Sequence, residues 1–134
     1  QKYSQNGGAL LVSGAYVGSD MTTDTEQQFL ASVLTCRYAG RSQAGYGTVK
    51  GLGITLNYWN ELNANHYAAT SVDILQPVKP AFTAMQYADG QDAAIAYKQG
   101  NERLFVMGFP FECIIDRQKR LSIMQGILNY LLNN

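Results

Sequence analysis

The chain is short of charge, of basic runs, of histidine and of cysteine, and each shortage closes a class of function. Only 15% of its 134 residues are charged, and ten basic side chains are cancelled by ten acidic ones. No basic run is interleaved with aromatics, so the electrostatic footprint of backbone-driven nucleic-acid binding is missing and no nucleic-acid partner is expected. No apolar segment approaches the roughly 20 residues that cross a bilayer, so no membrane span is expected. The first residues, Gln1-Lys2-Tyr3-Ser4-Gln5-Asn6, lack the charged-then-apolar pattern of a signal peptide. His66 is the single histidine and has no Cys, Asp or Glu at ligand spacing, so neither a zinc site nor any other cofactor site is expected.

What is present suits one compact domain over residues 1–134. The 46% hydrophobic content is enough for one core, and the length is too small for two ordinary ones. Thirteen glycines and nine tyrosines against three prolines describe a turn-rich chain whose surface relies on neutral polar groups and aromatics. Tyr16, Tyr58, Trp59 and Tyr67 fall near predicted loops. They either stack on a sugar, since flat aromatic faces cover the apolar side of a pyranose, or pack loops.

The pattern along the chain alternates strand and helix at both ends. Gly8 opens a short apolar strand, Ala9 to Ser13, which Gly14 closes. Thr23 with Glu26 three positions on is a capping box, and Phe29, Leu30, Val33 and Leu34 recur on one helical face. The glycine-rich stretch from Arg37 to Gly53 reads as a loop crossed by one or two short strands, and Ile54 to Trp59 alternates as a half-exposed strand. From Phe82 onward, three strands joined by tight turns predict an antiparallel extension ending at Gly108. Asp116 then caps a final helix with an apolar stripe of Leu121, Met124, Ile127, Leu128 and Leu131.

The run from Arg103 to Glu112 is the most informative segment. An apolar strand breaks at one glycine into the kinked turn Phe109-Pro110-Phe111 and ends on a carboxylate. A strand covered on both faces is continuously apolar, and ligands of open α/β sheets gather beyond the carboxyl ends of such strands. Glu112 is therefore a candidate catalytic residue, with Ser13 or His66 as the possible partner. Ser19, Asp20, Tyr16 and Glu112 are the candidate binding residues, because the first loop precedes a helix amino terminus that favours anions. The local alternative is that Ser19 and Asp20 shape a turn.

Cys36 and Cys113 are expected as free, buried thiols. Cys36 is read at the end of a helix that runs back from the strand tops, and Cys113 just past a strand top. A five-residue strand spans about 17 Å, beyond the ~7 Å that a disulfide allows between Cα atoms.

The strand Gly7 to Gly14, followed by Gly18-Ser19-Asp20, resembles the later half of class I glutamine amidotransferase-like domains, including ThuA-like proteins and the trimerisation domain of some β-galactosidases. The segment Val106 to Glu112 resembles the place where amidotransferases carry a catalytic histidine after a Gly-x-x-Phe strand end. The whole, with Ile127-Leu128-Asn129-Tyr130-Leu131, is similar to domains of secreted bacterial proteins labelled xanthan lyase or golvesin-like. This resemblance implies an α/β, three-layer, doubly wound sheet of flavodoxin or amidotransferase-like type, shortened on its N-terminal side. It also implies a secreted or periplasmic, polysaccharide-related setting.

The departures from the enzyme pattern are chemical. Glu112 stands where the histidine belongs, and Ser13-Gly14-Ala15-Tyr16 holds no cysteine, so thiol attack on glutamine is not expected. A non-catalytic accessory or interaction domain follows, with a glycan- or ester-acting hydrolase or lyase as the alternative. The expected partners are other domains of a parent protein, a second copy paired along an exposed sheet edge, or a glycan.

Overall fold

The computed structural model describes residues 8–43, 47–58 and 71–132. Strand β1 (Ala9–Ser13) leads through a turn-rich loop to helix α1 (Asp24–Ser32), which is followed by β2 (Cys36–Gln43), β3 (Thr48–Gly51) and β4 (Ile54–Asn57). Then come β5 (Ser71–Pro77), β6 (Phe82–Tyr87), β7 (Asp92–Gln99), β8 (Glu102–Met107), a 3-10 turn (Phe111–Cys113) and helix α2 (Arg117–Leu132).

Both helix starts follow from their caps. The Thr23 side chain accepts from the Glu26 N–H at 3.1 Å, while Glu26 Oε1 accepts from the Thr23 N–H at 3.2 Å and from its hydroxyl at 2.8 Å. These bonds satisfy donors that a helix amino end leaves free, and the Thr23 side-chain bond holds the Glu26 carboxyl below its usual range. At α2, Asp116 Oδ1 accepts from the N–H groups of Gln118 and Lys119.

Six strands form one mixed sheet in the order β1-β8-β7-β6-β3-β4, and β2 pairs with β5 in a separate antiparallel ribbon. The pair β1 and β8 is parallel, with Ala9 opposite Arg103 and Ser13 opposite Met107. Every other pair in the sheet is antiparallel. The expected antiparallel extension is thus most of the sheet. One parallel pair is not the run of parallel strands on which a doubly wound, flavodoxin-type sheet is built, so the α/β class holds at a coarser level.

The sheet is buried on both faces because side chains alternate along a strand. Ala94, Ala96, Phe105 and Met107 join Ile123, Ile127 and Leu131 of α2 in one core. Ile95, Leu104 and Val106 join Leu30, Leu34 and Leu75 in a second core on the other side. That is why β7 and β8 read as unbroken apolar runs. In α2 the buried stripe is Ile123, Ile127 and Leu131, at i, i+4 and i+8; Leu121 and Leu128, expected in it, are 53% and 42% exposed.

Three other expectations are corrected. Helix α1 stops at Ser32, so Cys36 opens β2 instead of ending a helix. The glycine-rich stretch after Arg37 contains the eight-residue β2 as well as β3. Strand β5, with Val72 to Leu75 wholly buried, was not foreseen. Both cysteines are free and buried as expected. Burial, with a contribution from the Asp73 charge, pushes the Cys36 thiol up to about 12.

Candidate functional site

The parallel pairing of β1 and β8 makes the two glycine-terminated apolar runs neighbours that end together. At their carboxyl ends, however, the chain is packed instead of open. Strand β5 crosses at Gly108: the Asp73 N–H donates to the Gly108 carbonyl at 2.9 Å, and the Gly108 N–H donates to the Ala93 carbonyl at 2.8 Å. A β-carbon on Gly108 would collide with the Asp73 carbonyl oxygen, which explains why the run is interrupted by glycine. The Tyr87 hydroxyl donates to that same carbonyl at 2.6 Å. Phe109, fully buried, stacks on Tyr58 with ring centroids 5.9 Å apart and meets Tyr87 edge-on at 6.3 Å.

Beyond this junction, the Phe111 N–H donates to Ser13 Oγ at 3.3 Å, which brings Ser13 and the turn bearing Glu112 to the same strand ends. Glu112 is exposed, and its carboxylate makes no hydrogen bond or ion pair among the described residues. Burial, helped by the Glu112 charge, pushes the neighbouring Cys113 thiol up to about 11. A thiol held neutral at pH 7 is a poor nucleophile. Burial also raises the phenols of Tyr58, to about 12, and of Tyr87. His66 lies outside the described residues, as do Trp59 and Tyr67.

Ser19 and Tyr16 converge instead on an ion pair that the sequence reading missed. Asp73, fully buried in β5, accepts from Arg41 Nη1 of β2 at 2.7 Å and from the N–H groups of Gly18 at 2.7 Å and Ser19 at 3.1 Å. Arg41 also donates to Ser19 Oγ, the Ala15 carbonyl, and both the hydroxyl and the carbonyl of Ser71. Its guanidinium lies 4.4 Å from the centroid of the Tyr16 ring. The pair and its partners tie the loop after β1 to the β2–β5 ribbon, with the buried charge compensated by donors on several sides. Asp20 is exposed, and only its backbone N–H is engaged, with the Tyr16 carbonyl. The one signal for this hub was a carboxylate, Asp73, inside the apolar run Val72 to Leu75, since a buried charge demands a partner.

A third region is open. A groove of about 540 Å³ runs between α1 and β2, lined by Asp24, Gln27, Gln28 and Ala31 on the helix and by Arg37 and Tyr38 on the strand. Leu30, 2% exposed, also borders it. None of the strand-end candidates lines this groove.

The likeness to known proteins is one of fold. No protein-family model matches the chain, and no curated protein matches it. Among solved structures, the GH42 beta-galactosidase Gan42B of G. stearothermophilus is similar at a TM-score of 0.65 and 12% identity, covering 96% of this chain and 18% of that one. The exo-beta-1,4-mannosidase Op5Man5 of Opitutaceae bacterium strain TAV5 gives a TM-score of 0.63 at 13% identity, covering 99% and 22%. The chain thus spans about a fifth of the length of these two glycoside hydrolase chains and shares its fold with part of each.

Proposed function

We propose that the chain is a non-catalytic accessory or interaction domain of a larger, secreted or periplasmic, glycan-related protein. The observation that carries this reading is coverage: nearly all of this chain matches a minor part of glycoside hydrolase chains. The strand ends agree with it chemically. In the amidotransferase-like frame Glu112 occupies the histidine position, Cys113 is held neutral, and the Ser13 hydroxyl accepts the Phe111 N–H.

The partners are other domains of the parent protein, or a second copy. Among the described residues β1 pairs only with β8, so it leaves one row of backbone groups open to another strand; the other end of the sheet is covered, the Asn57 and Thr55 carbonyls of β4 accepting from the Ile115 N–H and from Lys119 Nζ.

One observation favours a second reading. The 3.3 Å bond from Phe111 to Ser13 places a hydroxyl and the Glu112 turn at one site, as a glycan- or ester-acting hydrolase or lyase would require. A panel of glycans and simple esters, incubated with the wild-type chain and with Glu112→Ala, separates the two. The accessory reading expects no turnover by either protein. Turnover by the wild type that is lost in a folded Glu112→Ala protein establishes the enzyme instead.

A further inference from the structure

We propose that the groove between α1 and β2 binds a neutral oligosaccharide, with Tyr38 as the stacking platform. The choice of a sugar as ligand rests on the accessory-domain reading above; the site itself rests on geometry.

Asp24, Gln27, Gln28 and Ala31 are spaced i, i+3, i+4 and i+7, so they share one face of α1. A helix covering a sheet normally turns an apolar stripe toward its neighbours. Here three of the four residues on that face, Asp24, Gln27 and Gln28, are polar, with Ala31 and Leu30 as the apolar floor, and across the groove stand the exposed side chains Arg37 and Tyr38. The groove's volume falls within the ~300–1,000 Å³ typical of small-molecule sites.

The polar groups are uncommitted. Among the described residues the side chains of Asp24, Gln27, Gln28 and Arg37 and the Tyr38 hydroxyl make no hydrogen bond or ion pair. This contrasts with Arg41, whose guanidinium engages five acceptors. An amide both donates and accepts, as a sugar hydroxyl does, so two adjacent glutamines suit a ring of hydroxyls better than a ligand of one polarity. Asp24 and Arg37 cancel in charge. A strongly anionic or cationic ligand gains nothing net from them, and a neutral one fits.

The aromatic element is positioned in advance. Tyr38 keeps 41% of its surface exposed, yet its side chain is seated against Gly18: a β-carbon there would lie 3.0 Å from Tyr38 Cβ and 3.2 Å from Cδ1. The Gly18 N–H is in turn held by Asp73. A ring fixed before binding loses little freedom when a pyranose stacks on it, which is how preorganisation gains affinity.

The test is calorimetric titration of the folded chain with tetra- to hexasaccharides of β-1,4-linked mannose, galactose, glucose and xylose. Turnover is assayed in the same samples. Saturable binding to at least one series is expected. Tyr38→Ala should weaken it roughly tenfold or more, while Tyr38→Phe retains most of it. The double variant Gln27→Ala with Gln28→Ala changes only exposed side chains, so it should lose roughly three- to tenfold in affinity with an unchanged Tm and serves if Tyr38→Ala misfolds. No binding to any series, or binding untouched by the double variant and by a folded Tyr38→Ala protein, overturns the groove assignment. Hydrolysis of a saccharide by the wild type overturns the accessory-domain reading instead, so the two failures are told apart.

Discussion

The carboxyl end of β8 and the groove beside α1 invert what their sequences advertise. Gly108 to Phe111 is aromatic, kinked and conspicuous, and it is packed: backbone groups paired with β5 and β7, the Phe109 ring stacked on Tyr58 and edge-on to Tyr87, and a glycine demanded by an adjacent carbonyl. The face from Asp24 to Ala31 is a modest run of amides and small residues, and it borders an open groove with its side-chain hydrogen-bonding capacity free among the described residues. A motif draws notice when its composition is unusual, and close packing of two layers imposes unusual composition as strongly as catalysis does. Unsatisfied polar groups along a concavity are a better pointer to binding, because burying such groups without partners is unfavourable and leaving them exposed is not.

The sharpest way to break the comparison is to remove the charge that ties the packed region together. Asp73→Ala takes the carboxylate from Arg41, which keeps four other acceptors, and leaves the N–H groups of Gly18 and Ser19 without their partner. Loss of one partner of a buried pair costs up to about 3–5 kcal/mol, and less where the remaining charge keeps other acceptors, so chemical denaturation should show a strongly lowered midpoint. Because Gly18 seats Tyr38, any folded fraction should also bind saccharide more weakly. A variant as stable as the wild type would show that the hub is ornamental.

Alkaline titration is the next largest effect, and it reports on the packed interior alone. The folded-state pKa values of Cys36 and Cys113 are raised to about 12 and about 11, so in the unfolded chain these thiols ionise first, from about pH 9. The unfolded state then binds fewer protons than the folded one. The stability these groups contribute is complete below pH ~9 and is lost as pH rises toward the folded values. The fall is on the order of 1 kcal/mol per thiol by pH 10, measurable as a drop in Tm between pH 8 and 10. Cys36→Ala should roughly halve it, since Cys113 still contributes, whereas the Gln27, Gln28 double variant should leave it unchanged.

Tyr87→Phe is the mildest cut. It removes only the phenol that donates to the Asp73 carbonyl. A lost buried hydrogen bond of this kind costs about 1 kcal/mol, read as a shifted denaturation midpoint at constant slope. A larger loss would mean that the crossing at Gly108 depends on Tyr87 more than its single bond implies.

Much of the fold was legible. The limits of β1, the Thr23–Glu26 cap, the Asp116 cap and the three strands after Phe82 were readable because each rests on local chemistry: glycine punctuation, a side chain reaching a backbone N–H, tight turns. The glycine-terminated runs around Val12 and Met107, expected side by side, are neighbours as the parallel pair β1 and β8. Strand β5 was missed because Asp73 interrupts its apolar run. The true extent of β2 was hidden because Gly40 and small polar residues mimic a loop. Of the candidate residues, Ser13 accepts from the N–H of Phe111, the residue before Glu112. Arg41 and Asp73 were not singled out, since they meet each other and the first loop only across separations of 22 to 55 residues, and Arg37 and Tyr38 were not, since they fall in the stretch read as a loop instead of in β2.

The amino-acid sequence by itself determined where many elements begin and end, that the chain carries two sheet-covering apolar sets, and that the turn Ser13 to Tyr16 holds no cysteine and the turn Gly108 to Glu112 no histidine. These depend on neighbours within a few residues, or on residue identity. Only the tertiary structure decided that β5 crosses at Gly108, that Asp73 is neutralised by Arg41, and that a polar helix face is left standing over an exposed tyrosine. Those outcomes are set by which distant backbones approach closely enough to fill one another's hydrogen bonds, and which do not.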